Sequence, residues 1–285
     1  EHKMPHLGVA TAAFQIEGAA DSRRPCIWDT FCATPEKIKD GSDGLQACDH
    51  FNRWEQDIEL IESLGVDAYR FSVSWPRVIT QSGELDHQGV AFYVQLLDTL
   101  KQKNIKSYVT LYHWDLPQYL EDKGGWLNRE TAYHFRDYVD LITQAFGDRV
   151  HSYSTLGMQV LAKNSPNTLN GIVLNVSPCY PKTDSEQDKK AAWAADQNLN
   201  HWYAMPVLEG RYPESINSLP EEELPPIQDG DMAIICQPLD YLGLNYYTRE
   251  VYQDAGNNQR EKWVDESLPF TEMGWEVYPQ GLTDI

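Results

Sequence analysis

Ser107-Tyr108-Val109-Thr110-Leu111-Tyr112-His113-Trp114-Asp115-Leu116-Pro117 decides the fold. Its first six residues are mostly β-branched or aromatic and read as a strand. Leu116-Pro117 ends that run, and Asp115 with Gln118 three positions on reads as a helix start with a capping pair. A strand that delivers an imidazole and an indole at its C-terminal end, just before a helix, is the way parallel α/β barrels present ligand groups.

The same alternation extends in both directions. Strands are expected at Gly8–Phe14, Val66–Trp75, His151–Leu156, Asn170–Ser177 and Asp240–Thr248. Amphipathic helices are expected at His50–Leu64, His87–Lys103, Arg129–Phe146 and Ala191–Glu209, with Gly65 and Gly210 as terminators. Alternating strands and helices imply parallel pairing through right-handed crossovers. Nearly continuous apolar strands imply burial on both faces. An open nucleotide-binding sheet would carry a glycine-rich loop after its first strand, and this chain has none. Instead Gln15, Arg70, His113, Asn245 and Tyr247 mark strand ends, which favours the barrel. The acidic, proline-rich run Leu219–Pro226 reads as a solvated loop.

Composition narrows the function. A net charge of -20, from 23 basic and 43 acidic residues, repels nucleic acid and anionic membranes. No apolar stretch approaches the roughly 18 residues of a membrane span. Nine Trp, 16 Tyr and 8 Phe supply faces that stack on sugar rings, although a large aromatic core uses the same residues. Five cysteines, an odd number without Cys-x-x-Cys, favour a reduced, cytoplasmic protein. The chain begins Glu-His-Lys rather than with Met, which leaves a removed leader open. No His or Cys spacing suggests a metal site.

Eight segments, in order, resemble the signatures of the family 1 glycoside hydrolases. They are Gly8–Gly18, Ile27–Phe31, Cys48–Trp54, Tyr69–Arg77, Tyr112–Pro117, Gly124–Asn128, Gly210–Pro213 and Leu242–Thr248. The bacterial β-glucosidases look most similar. The resemblance implies an α/β fold, the (β/α)8 TIM barrel, as a single domain over residues 1–285, and retaining hydrolysis of β-glycosides without a cofactor. It implies that Gln15, His113, Trp114, Asn245 and Tyr247 bind the sugar, and that Arg70 and Tyr247 support the nucleophile. Amide and imidazole groups suit neutral sugars because they both donate and accept hydrogen bonds. An Arg and a phenol beside a carboxylate favour its charged form. The expected substrate is a β-glucoside or short β-linked oligosaccharide. A 6-phospho-β-glycosidase stays open, because the groups that decide it follow the family's eighth strand.

Retaining hydrolysis needs two carboxyl groups roughly 5 Å apart. The family carries its acid/base in Asn-Glu-Pro after the fourth strand and its nucleophile in Thr-Glu-Asn-Gly after the seventh. Neither motif occurs in these 285 residues. After Tyr153-Ser154-Thr155-Leu156 comes Gly157-Met158-Gln159, which resembles the end of the family's fourth helix joined to the fourth strand. Segments are therefore expected to be missing at the 156/157 junction and after residue 285, with about six of eight β/α units present. Three explanations stand side by side: joined pieces of a longer chain, a fragment completed by another chain or by homo-oligomerisation, and a sugar-binding pseudoenzyme. Glu17 reads as structural, Asp115 as a helix cap, and His50 and His151 as structural.

Overall fold

A computed structural model describes residues 6–155 and 157–285, and the Leu156 side of the 156/157 junction lies outside them. The chain divides into two compact units between Ile172 and Val173.

In the first unit, β1 (Gly8–Ala10), β2 (Ala68–Ser72), β3 (Lys106–Thr110), β4 (Ser152–Ser154) and the start of β5 (Leu169–Val176) pair in parallel. The register runs Ala10 to Arg70, Arg70 to Tyr108, Tyr108 to Ser152 and Ser152 to Leu169. The rest of β5 belongs to the second unit, where it neighbours β7 (Tyr241–Tyr246). Order in this six-stranded sheet follows chain order without reversal. A doubly wound sheet reverses at a switch point; this progression is that of a (β/α)8 barrel with six of its eight strands.

Local chemistry sets the elements. Asp86 opens α5 (His87–Gln102) by accepting from the N–H groups of Gln88 and Gly89, and Phe92, Tyr93, Leu96, Leu97 and Leu100 form its buried stripe. Asn128 caps α7 (Arg129–Phe146), whose inner face is Phe135, Tyr138, Val139, Ile142 and Phe146. The Trp75 indole lies parallel to Tyr138 with ring centres 5.1 Å apart. Gly89 is required by a close approach, because a Cβ there would stand 2.2 Å from the Arg77 carbonyl oxygen. Gly89→Ala is expected to cost about 1–3 kcal/mol through overpacking, read as a lower urea midpoint with an unchanged m-value.

Several boundaries differ from the sequence expectations. The first strand stops at Ala10, and Ala13–Ile16 turn into a short helix, α1, whose Ala13 N–H donates to Ser72 Oγ at 2.7 Å. Pro76 sits in the first turn of α4 (Trp75–Val78), so it opens a helix instead of closing a strand. Gly157 is followed directly by the seven-residue α8 (Met158–Asn164), which packs on α7.

The second unit holds a three-stranded sheet that the sequence reading missed, β6 (Cys179–Pro181), β8 (Glu250–Gly256) and β9 (Gln259–Trp263), in the order β6-β8-β9. Asn257 and Asn258 link β8 and β9 with φ of 52° and 59°, the left-handed pair that suits a tight hairpin. The expected helix at Ala191–Glu209 begins earlier, at Glu186, where the Ser185 side chain caps it. It is also interrupted by a π-helical turn, Gln197–His201, before Trp202–Glu209. Gly210 ends it at φ 68°.

Candidate active site

β1, β2 and β3 carry four of the expected residues: Gln15, His113 and Trp114 lie beyond strand ends, whereas Arg70, expected at a strand end, is in the middle of its strand. Arg70 lies within β2, beside Ala10 of β1 and Tyr108 of β3, and its carbonyl accepts the Thr11 N–H at 2.9 Å. Gln15 lies in α1, just beyond β1, with its side chain exposed. His113 and Trp114 follow β3, their rings 5.2 Å apart and 26° from parallel. Burial, with the Arg70 guanidinium as a second cause, holds the His113 imidazole below its ordinary value of 6.5. His113 therefore presents a neutral ring, able to donate and accept, at neutral pH.

Trp114 is 51% exposed and has a φ of 73°. A bulky residue held there costs roughly 1–3 kcal/mol, so its surroundings must over-determine the turn. Asp115 is part of those surroundings, and here the sequence expectation fails. The next helix, Gln118–Glu121, has Pro117 at its N-cap position and no side-chain cap. Asp115 is instead buried, 2% exposed, and its Oδ1 has no hydrogen-bond partner among the described residues. Burial, followed by the nearby Glu17 charge, pushes its carboxyl up to about 7.

Glu17 is locked into a buried network. One oxygen accepts from Arg77 Nε at 2.8 Å and the other accepts from the Tyr93 hydroxyl. Arg77 also donates to Ser22 Oγ at 2.7 Å and to the Gly18 carbonyl at 2.9 Å, and its guanidinium stacks 4.2 Å from the Phe51 ring centre. With all three guanidinium nitrogens engaged, this pair braces the turn after β1. His50 Nδ1 donates to Asp57 Oδ2, 2.6 Å away, and His151 packs edge-on against Tyr108.

In the second unit, Asn245 is near the end of β7 and its amide donates to Asn175 Oδ1 at 2.9 Å. Tyr247 follows β7, is 54% exposed and lies 5.2 Å from the Trp275 ring centre. Asn175 and Trp275 were not singled out from the sequence. Asn175 carried a usable signal, a polar residue closing an apolar strand, whereas Trp275 had none, being 28 residues beyond its ring partner. Among the described residues no group of three His, Cys, Asp or Glu is arranged to hold a metal, and no helix is long and apolar enough to cross a membrane.

Polar and aromatic side chains at the C-terminal ends of successive parallel strands are the active-site layout of a (β/α)8 barrel enzyme. The model of glycosyl hydrolase family 1 matches residues 5–167 and 157–285. A 1,4-beta-D-glucan glucohydrolase of Thermotoga neapolitana is 37% identical, over 96% of this chain and 75% of the relative. A beta-glucosidase of an Agrobacterium species is also 37% identical, over 97% of this chain and 70% of the relative. The crystal structure of the GH1 beta-glucosidase of Exiguobacterium antarcticum B7 superposes with a TM-score of 0.93 at 33% identity, covering 98% of this chain and 73% of that one. The beta-glucosidase of Thermotoga maritima in complex with glucoimidazole gives 0.90 at 36% identity, covering 97% and 73%. The chain belongs to glycosyl hydrolase family 1 and is a glycoside hydrolase by descent, with an incomplete (β/α)8 barrel.

Proposed function

We propose that this protein is a retaining β-glucosidase that removes terminal β-D-glucosyl residues, with Gln15, His113, Trp114, Asn245 and Tyr247 gripping the sugar and Arg70 and Tyr247 beside the nucleophile. The observation that carries the reading is the 37% identity, along almost the whole chain, to relatives named for β-glucoside hydrolysis. Neutral His113 and the exposed Trp114 face support it, since one hydrogen-bonds a sugar hydroxyl in either sense and the other stacks on a sugar ring. Five free cysteines support a reducing, cytoplasmic setting.

Turnover of a nitrophenyl β-glucoside set against its 6-phosphate tests the substrate, and exclusive use of the phosphate would reverse the choice. The sugar grip is tested by calorimetry with glucose. Loss of one hydrogen bond in Gln15→Ala is expected to cost about 0.5–1.5 kcal/mol, a two- to tenfold weaker affinity. Unchanged affinity would move the subsite elsewhere.

A second reading has its own support. Neither family carboxylate motif occurs in these residues, the family match divides into two stretches, and the match to the Thermotoga neapolitana relative runs over 319 residues against the 285 present here. These 285 residues alone then form a sugar-binding unit without catalysis.

A further inference from the structure

Trp114 stands in a left-handed conformation that tryptophan seldom adopts, and its neighbour Asp115 buries a carboxyl whose Oδ1 has no hydrogen-bond partner among the described residues. These two facts belong together. The Asp115 backbone fixes where the turn re-enters the core, and the side chain is what is buried there. A charged carboxylate with an unsatisfied oxygen in such a place would pull toward water and drag the Trp114 turn with it. A neutral carboxylic acid loses far less by the same burial.

We infer that Asp115 is a positioning residue that holds a proton, and that this neutral, buried carboxyl keeps His113 and Trp114 in place at the edge of the barrel. The inference rests on the sugar subsite proposed above for its functional meaning, but not for its structural content.

The surroundings fit. Burial and then Glu17, from the turn after β1, raise the Asp115 carboxyl, whereas its own backbone N–H, the Arg23 guanidinium and the Ser74 side chain after β2 lower it by less. Cys26 and Tyr112, also close, are themselves pushed up to about 12, and Tyr138 of α7 is raised well above its ordinary value. These three remain neutral across the working range, so Arg23 is the positive group acting on Asp115. When Asp115 ionises, the proton passes to solvent and a negative charge remains beside Glu17. The carboxyl is raised above its unfolded value near 4, so its stabilising contribution is complete below pH 4 and is lost as pH rises through about 7.

The test follows three signals from pH 5 to 9 in the whole protein: the Asp115 carboxyl carbon by NMR, the Trp114 indole N–H assigned with Trp114→Phe, and glucose affinity. The carboxyl carbon and the indole are expected to change together with a midpoint near 7, and glucose affinity to fall several-fold over the same interval. Asp115→Asn, neutral at every pH, is expected to abolish the indole transition and keep the acid-form spectrum at pH 8.5. Its melting temperature relative to wild type should rise with pH. A carboxyl carbon titrating near 4, or an indole transition that survives in Asp115→Asn, would overturn the inference. The wild-type titration needs no variant and decides the point even if Asp115→Asn folds poorly. Failure of glucose to shift His113 or Trp114 at any pH would count against the subsite alone and leave the proton assignment supported by the sugar-free spectra.

Discussion

Arg77→Ala is expected to destabilise the first unit by about 3–5 kcal/mol, because it leaves the Glu17 carboxylate buried without its partner. Arg77 has no exposed surface, and its donors reach three separate groups: Glu17, Ser22 and the Gly18 carbonyl. Phe51 would also lose the guanidinium stacked on its face. Urea denaturation measures the cost. Arg77→Lys should recover only part, since an ammonium cannot span three acceptors with the geometry of a planar fork. A loss below about 1 kcal/mol in Arg77→Ala, the range of an exposed pair, would mean that water reaches Glu17 and that the network does not brace the turn. Replacing Glu17 and Arg77 together by apolar residues of similar volume should be milder than either single change, because no lone charge is left inside.

The second large effect is catalytic. Expressed alone, these 285 residues are expected to hydrolyse an aryl β-glucoside at least 10²–10⁴-fold more slowly than a full-length relative. That factor is what the loss of general acid catalysis alone typically removes, and loss of a nucleophile closes the covalent route as well. The two carboxylates next in sequence to subsite residues, Glu17 and Asp115, are both committed elsewhere. Glu17 is held by Arg77 and Tyr93, and Asp115 is buried. Neither can approach a glycosidic oxygen without dismantling the turn that carries it. A rate within tenfold of the relative would show that one of them does the chemistry; Glu17→Gln and Asp115→Asn would then tell which.

Much of this was legible in the sequence. The helix stripes of α5 and α7 announce themselves by spacing because a helical face repeats every three to four residues, whatever lies opposite. Parallel pairing in the barrel sheet followed from the alternation of strands and helices, and the choice of a barrel over a doubly wound sheet from the missing glycine-rich loop and the polar residues near the strand ends. Placing His113 and Trp114 at a strand end needed only the β-branched run before them.

What the sequence could not decide were the partners chosen at long range. Asp115 has the local pattern of a helix cap, and only packing by Glu17, Ser74 and Cys26 turns it into a buried acid. The chain near Pro76 reads as a strand end, yet hydrogen bonds from Arg77, Val78 and Ile79 back to Ser74 and Trp75 make it a helix. Similarly, β6 pairs with β8 some seventy residues away, and a three-residue strand carries too little pattern to reveal that pairing. Sequence by itself determined the periodicities, hence the elements and the family, because these depend on neighbours within a turn or a strand. Tertiary structure alone decided which polar groups lost their water, and with that the protonation of Asp115 and the locked state of Glu17, because desolvation is set by every chain segment that closes over a group.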